Sequence, residues 1–263
     1  MSQRFLFVAV EVGAVRYLEP LWIRWLTEND NSNWRVILGN QAAKYIEDSG
    51  LVDTLPILTT GSEWTEDVTR AVLEFAPTSL VISAGDHHPL EETAIHFGRL
   101  QNIPTAQFID SWYGYRRRFA YESGWTVADE IFVIDERAKR EGVADGLPSD
   151  RLTIIGHPSW ENSPRLPAAP RDHVLFLGAP VKFNYGRDLG YDEEDSWNVV
   201  LEARKLRPDL FEKLWYGKHP LQAGIDRSNV EPAILSQDSM TTLANAGTVL
   251  GMFSAPLVDA FLN

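Results

Sequence analysis

The run Tyr216-Gly217-Lys218-His219-Pro220 puts a cation and an imidazole directly after the apolar pair Leu214-Trp215. This is where a buried strand breaks out into a loop, and Pro220 prevents the strand ladder from continuing. In open α/β sheets the ligand crevice lies outside the carboxyl ends of the strands. A later apolar run, residues 248–253, ends in Ser254, and Pro256 falls in the first turn of a predicted helix. A lysine, a histidine and a helix N-terminus on one sheet edge make a phosphate site, with Lys218, His219 and Ser254 as its groups. Ser254 also reads as a plain helix N-cap and His219 as a capped loop histidine.

The first half of the chain carries a second set. Gly85-Asp86-His87-His88 follows the apolar run 79–83. Asp86, His87 and His88 are all candidates for acid–base work, and Asp86 also suits capping a helix that starts at Pro89. Adjacent histidines on an extended segment point apart, so no metal site is expected. Glu11 ends the first apolar run and precedes Gly13, which suits an acceptor-site carboxylate or base as well as an acid capping its own helix. Glu11-Val12-Gly13-Ala14-Val15-Arg16 lacks the full G-x-G-x-x-G dinucleotide pattern. Asp110-Ser111-Trp112-Tyr113-Gly114-Tyr115-Arg116-Arg117-Arg118-Phe119 interleaves aromatic rings with arginines. That composition can stack on sugar rings and hold an anion, with Asp110, Trp112 and Arg116 as candidate contacts. An exposed helix start, its arginines paired to Glu122 and Asp129, is the competing reading. Asp192-Glu193-Glu194-Asp195 needs only the dipole of the helix it precedes.

The elements that must position these residues follow from periodicity. Strand-length apolar runs occupy residues 5–10, 34–38, 54–58, 79–83, 105–109, 131–134 and 152–155. They are continuous rather than alternating, as suits strands covered on both faces of a parallel sheet. Helical patterns lie between them at 16–29, 41–49, 65–75, 89–100 and 136–143, with Pro20 near a first turn, Asn40 as a cap and Gly50 as a stop. Residues 158–172 hold four prolines without periodicity and read as a linker. A second series follows: strands at 173–177, 211–216, 232–235 and 248–253, with helices at 196–206, 240–245 and 255–261. The expectation is an α/β fold of two Rossmann-like domains, 1–157 and 173–263, each a parallel sheet flanked by helices. The second is expected to be abbreviated, its last helix covered by a homo-oligomer or a partner chain.

Bulk properties exclude several classes. The 263 residues are 44% hydrophobic and 11% aromatic, enough for real cores. A net charge of −13 argues against nucleic acid as a partner. The absence of cysteine removes disulfides, thiolate metal sites and cysteine nucleophiles. Only six apolar residues precede Glu11, too few for a signal peptide or a membrane span, so a cytoplasmic protein is expected.

Two such domains, joined by a proline-rich linker, resemble the GT-B glycosyltransferase architecture. The second domain looks most like the nucleotide-binding half of CDP-glycerol glycerophosphotransferase-like proteins and certain sialyltransferases, with their K-x-H-P motif and later serine. Lys218-His219-Pro220 and Ser254 match, without the spacer before the histidine. The UDP-N-acetylglucosamine 2-epimerase group has a related layout. Gly85-Asp86, Ile103-Pro104, Asp110-Ser111-Trp112 and Gly156-His157-Pro158 resemble what such proteins carry at these places. The resemblance implies a nucleotide-sugar or CDP-polyol donor as substrate, no separate cofactor, and a carbohydrate or lipid-linked acceptor. Lys218 would offset donor phosphate charge, His219 would hydrogen-bond the leaving phosphate or act as its general acid, and Ser254 would bind a phosphate oxygen. Asp86, His87 and Glu11 would be the candidate bases, with His157 among the binding groups. The implied activity is transfer of a sugar or polyol-phosphate for surface polysaccharide. A sugar-nucleotide epimerase and a non-catalytic binding or assembly protein are the alternatives.

Overall fold

The computed structural model describes residues 3–28, 33–51, 53–59, 64–85, 88–121, 124–161, 172–219, 222, 224–236, 239–252 and 255–262. The chain divides into two units, Met1–Asn162 and Ser163–Asn263. In the first unit strands and helices alternate: β1 (Phe5–Ala9), α1 (Val12–Thr27), β2 (Trp34–Leu38), α2 (Asn40–Ser49), β3 (Ile57–Thr59), α3 (Trp64–Phe75), β4 (Ser79–Ser83), α4 (Pro89–Gln101) and β5 (Thr105–Phe108). A small antiparallel pair, β6 (Ala120–Tyr121) with β7 (Gly124–Trp125), precedes β8 (Glu130–Val133), α5 (Glu136–Ala144), β9 (Leu152–Ile154) and α6 (Pro158–Glu161). The main sheet is parallel, in the order β3-β2-β1-β4-β5-β8-β9. This is the doubly wound order, and its direction of winding reverses between β1 and β4.

Both faces of that sheet are covered, which is why its strands read as unbroken apolar runs. Phe7 and Ala9 pack with Trp22, Trp34 and Ala42 of the α1 and α2 side. Leu6, Val8 and Val10 pack with Val68, Val72, Leu90 and Ile95 of α3 and α4 on the other. Successive side chains of one strand therefore serve two separate cores.

The second unit comprises β10 (His173–Leu177), α7 (Val181–Tyr185), α8 (Glu193–Leu206), β11 (Leu214–Gly217), α9 (Arg227–Val230), β12 (Ile234–Leu235), α10 (Ser239–Asn245), β13 (Ala246–Gly251) and α11 (Ala255–Leu262). Its parallel sheet runs β12-β11-β10-β13, with the reversal between β10 and β13. Val174 and Phe176 pack against Trp197 and Val200 of α8, while Leu175 and Leu177 face Leu243 and Leu257.

Several boundaries differ from the periodicity, each for a local reason. Helix α1 starts at Val12 rather than residue 16, so Pro20 lies inside it. Gly39, not Asn40, is the N-cap of α2. A Cβ there would sit 3.0 Å from Val10 Cα, so only glycine lets β1 and β2 approach this closely. Gly50 stops α2 in the left-handed conformation, as expected. Strand β3 begins three residues late because Thr54 and Leu55 bond back to Leu51 as a turn. A 3-10 turn at Pro208–Phe211 likewise delays β11. Helix α8 starts at Glu193 because Asp192 and Asp195 form a capping box. The expected linker begins with α6, and its residues 162–171 lie outside the described residues.

Helix α4 crosses the sheet at Gly98, where a Cβ would overlap Thr105 Cγ2 and lie 3.2 Å from the Ile103 carbonyl. Gly98→Ala is expected to cost about 1–3 kcal/mol in urea unfolding. Adding Thr105→Ser removes that methyl but keeps the hydroxyl that bonds Asp129, and should recover part of the loss.

Candidate functional site

The carboxyl ends of β1, β4 and β5 meet at the reversal of the first sheet, where a crevice is expected from topology. Glu11 follows β1 as the N-cap of α1, with an extended backbone and no side-chain cap bond, so it is not spent on its own helix. Asp110 follows β5 and presses on the start of α1 so closely that any side chain at Gly13 would collide with its Oδ2. Arg118, only 9% exposed, joins the strand ends. Its guanidinium donates to the Ala84 carbonyl after β4, to Asp110 Oδ1 at 3.2 Å and to Ser111 Oγ at 2.6 Å. Burial raises the Glu11 pKa above the usual carboxylate value, the Arg118 charge opposes this and Asp110 adds to it.

Beyond β4, Asp86 and His87 lie outside the described residues. The helix they precede is capped by His88, whose Nδ1 accepts from the Leu90 amide at 3.2 Å. Burial lowers the His88 pKa. One turn on, Glu91 is 0% exposed, and burial pushes its pKa up to about 8.

Trp112 and His157 belong to an aromatic stack beside this cluster. The His157 ring lies 3.9 Å from Trp160 in a near-parallel stack and edge-on to Tyr17 at 4.6 Å. Trp160 stacks in turn on Trp112 at 5.2 Å. Trp112 Nε1 donates to Asp135 at 2.8 Å, and the Tyr17 hydroxyl donates to the Gly156 carbonyl at 3.1 Å. His157 Nδ1 is 2.7 Å from Ser159 Oγ. Burial lowers its pKa to about 4, with Arg16 reinforcing and Asp110 opposing, so the ring is neutral near pH 7. Arg116 is exposed, and its backbone amide bonds Asp145. The expected pairing of the arginines with Asp129 is not formed by Arg118, which takes Asp110. Asp129 instead accepts from Thr105.

In the second unit Lys218 and His219 leave the carboxyl end of β11, next to the reversal strand β10. Gln222 ties these loops together. Its Oε1 accepts from the His219 amide at 3.0 Å, while its Nε2 reaches the Tyr216 hydroxyl at 3.3 Å and the Ala179 carbonyl at 3.4 Å. A Cβ at Gly178 would lie 2.5 Å from that Oε1, so the β10 loop needs glycine here. Burial lowers the His219 pKa. Ser254 lies outside the described residues, and α11 begins at Ala255.

Sequence reasoning missed Glu91 and Arg118. Glu91 looks like any first-turn carboxylate, and Arg118 is the third of three adjacent arginines. Only the packing of α4 and of the Arg117–Phe119 turn buries them.

No family model matches the chain, and no curated protein matches it in sequence. Solved structures do. Staphylococcus aureus MnaA, in a co-structure with UDP, aligns at TM-score 0.69 and 13% identity over 98% of this chain and 77% of its own. The Neisseria meningitidis UDP-GlcNAc 2-epimerase bound to UDP-GlcNAc aligns at 0.61 and 14% identity, covering 98% and 80%. A glycosyltransferase from Rickettsia africae aligns at 0.58 and 7% identity, covering 95% and 73%. The chain has a GT-B-like fold, in the layout shared by GT-B glycosyltransferases and these epimerases. Among the described residues, no helix is long and apolar enough to cross a membrane.

Two outcomes test the first-unit cluster. Arg118→Met leaves buried carboxyls unpaired and should cost about 3–5 kcal/mol in guanidinium unfolding. Arg118→Lys should recover only part, since an ammonium lacks the planar fork that spans Ala84 and Ser111. For His157 the folded pKa is depressed, so its stabilisation is present above about pH 6.5 and is lost as pH falls towards 4. A pH series of melts should show this decline, on the order of 1–3 kcal/mol, and His157→Phe should flatten it.

Proposed function

We propose that the protein transfers a sugar or polyol-phosphate unit from a nucleotide-activated donor to a carbohydrate or lipid-linked acceptor, in surface polysaccharide synthesis. The observation that carries this reading is Lys218-His219 at the carboxyl end of β11, in a Rossmann-like sheet of GT-B type. We take 173–263 as the nucleotide domain, 158–172 as the linker and 1–157 as the acceptor domain. Lys218 offsets donor phosphate charge, and among the described residues it forms no ion pair that would consume its own. His219 is neutral at pH 7 because burial lowers its pKa, so it serves the leaving phosphate as a hydrogen-bond donor rather than as an imidazolium acid. Ser254 and the start of α11 complete the phosphate site.

On the acceptor side, Glu11 is a candidate base whose pKa burial raises above the usual carboxylate value, which strengthens it as a proton acceptor. Asp86 and His87 are the other candidate bases. Trp112, with its stacked partner Trp160, supplies an aromatic face for a sugar ring, His157 stacks on Trp160 behind it, and Asp110 and Arg116 are the candidate polar contacts. A donor closed away from water is protected from hydrolysis.

The likeness to a UDP-GlcNAc 2-epimerase favours one second reading, epimerisation of a nucleotide sugar. It needs acid–base groups at the sugar but no acceptor, and so gives product from donor alone.

Calorimetric titration with CMP, CDP, UDP and GDP tests the donor site. One nucleotide should bind with a Kd of about 1–100 μM, and Lys218→Ala should weaken it at least about tenfold, or 1.4 kcal/mol. Failure to bind any of the four would overturn the assignment. With the donor class known, a new epimer formed from the sugar nucleotide alone would select the second reading.

A further inference from the structure

Glu91 is a fully buried carboxyl group outside the roles assigned so far. The Ser83 hydroxyl donates to its Oε1 at 2.5 Å, and the Gly85 amide reaches both oxygens, at 2.8 and 3.0 Å. Ser83 in turn accepts from the Val10 amide at 3.2 Å. The Glu91 carboxyl thus locks the end of β4, and through Ser83 the end of β1. Glu11 approaches the same point from β1. A Cβ at Gly85 would lie 3.1 Å from Glu91 Oε1 and 3.4 Å from both Cδ and Oε1 of Glu11. Two carboxyl groups therefore flank one glycine, and a charge on Glu11 opposes ionisation of the buried Glu91.

We propose that Glu91 is a positioning residue that keeps one proton inside a Glu11–Glu91 pair, so that Glu11 carries the pair's single negative charge. The surroundings decide which member is neutral. Glu91 has no contact with water, whereas Glu11 keeps partial exposure. Arg118 is the strongest opposing influence on Glu11 but the weakest one on Glu91. Asp110, beside Arg118, adds negative charge on the Glu11 side. Tyr121 of β6 faces Glu91 as a neutral phenol, its pKa raised chiefly by burial, with Gln107 beside it. Glu92, the neighbour on α4, acts on the same phenol. A neutral Glu91 removes its repulsion with Glu11. It also leaves Glu11 as a carboxylate of raised basicity, which is what the proposed base requires. That use rests on the reading of Glu11 as a base; the shared proton does not.

Infrared titration of the full chain in D2O, with Glu91→Gln and Glu11→Gln, reads the proton directly. At pH 6 the wild type should show the carbonyl stretch of a protonated carboxyl, lost on titration with a midpoint near pH 8. The band should be missing in Glu91→Gln, which preserves the side-chain shape and whose circular dichroism should match wild type. In Glu11→Gln it should remain, with its midpoint lowered by about one unit once the like charge is gone. Thermal melts give a second readout. The folded pKa is raised, so this stabilisation is complete below about pH 4.5 and is lost as pH rises through 8. Glu91→Gln should flatten that loss. Absence of the band at pH 6, or its persistence in Glu91→Gln, overturns the proposal even if the protein binds nucleotide. A band behaving as expected in a protein that binds none would overturn the donor assignment and leave the shared proton standing.

Discussion

A guanidinium group with nine-tenths of its residue surface removed from water sits where three carboxyl groups converge on the ends of β1, β4 and β5. Parallel strands bring their carboxyl ends to one edge, and here that edge carries Glu11, Glu91 and Asp110. Without compensation such a group of acids would repel and hold the strand ends apart. Arg118 answers with one fixed positive charge and a planar fork bonded to Ala84, Asp110 and Ser111. One cation against three acids leaves an excess of negative charge, which the proposed neutral Glu91, the driest of the three, reduces. The geometry of Gly13 and Gly85 follows from this, because both let a carboxyl approach the backbone closer than a side chain would permit.

In the second unit a neutral side chain joins the loops after β10 and β11. Gln222 is buried and bridges the loops after β10 and β11 through the His219 amide, the Tyr216 hydroxyl and the Ala179 carbonyl. An amide can donate and accept at once, so it ties two loops without importing charge.

Much of the fold was legible because both faces of each sheet are covered. Burial on two sides forces continuous apolar runs such as Leu6–Val10 and Val174–Leu177, and these mark strands whatever their neighbours do. Helix starts were less legible. Gly39 caps α2 because Val10 leaves no room for a side chain, a constraint imposed by a residue 29 positions earlier. The turns that displaced β3 and β11 arise from backbone bonds that any sequence could make.

The candidate site divides along the same line. That Lys218-His219, Glu11 and Asp110-Ser111-Trp112 stand at strand ends was determined by the sequence alone, since an apolar run that stops in polar residues must place them there. Which of those residues meet was decided only by tertiary structure. Strand order brings β1 against β4 and β4 against β5, although each pair is separated by a helix or more of chain. The packing of α4 then turns an ordinary first-turn glutamate into a buried acid, and the turn after β5 selects Arg118 over Arg116 as the charge that enters the cluster. Composition and spacing record what a residue is and how far along the chain it lies. Desolvation and proximity, which set its protonation and its chemistry, depend on neighbours the chain supplies from elsewhere.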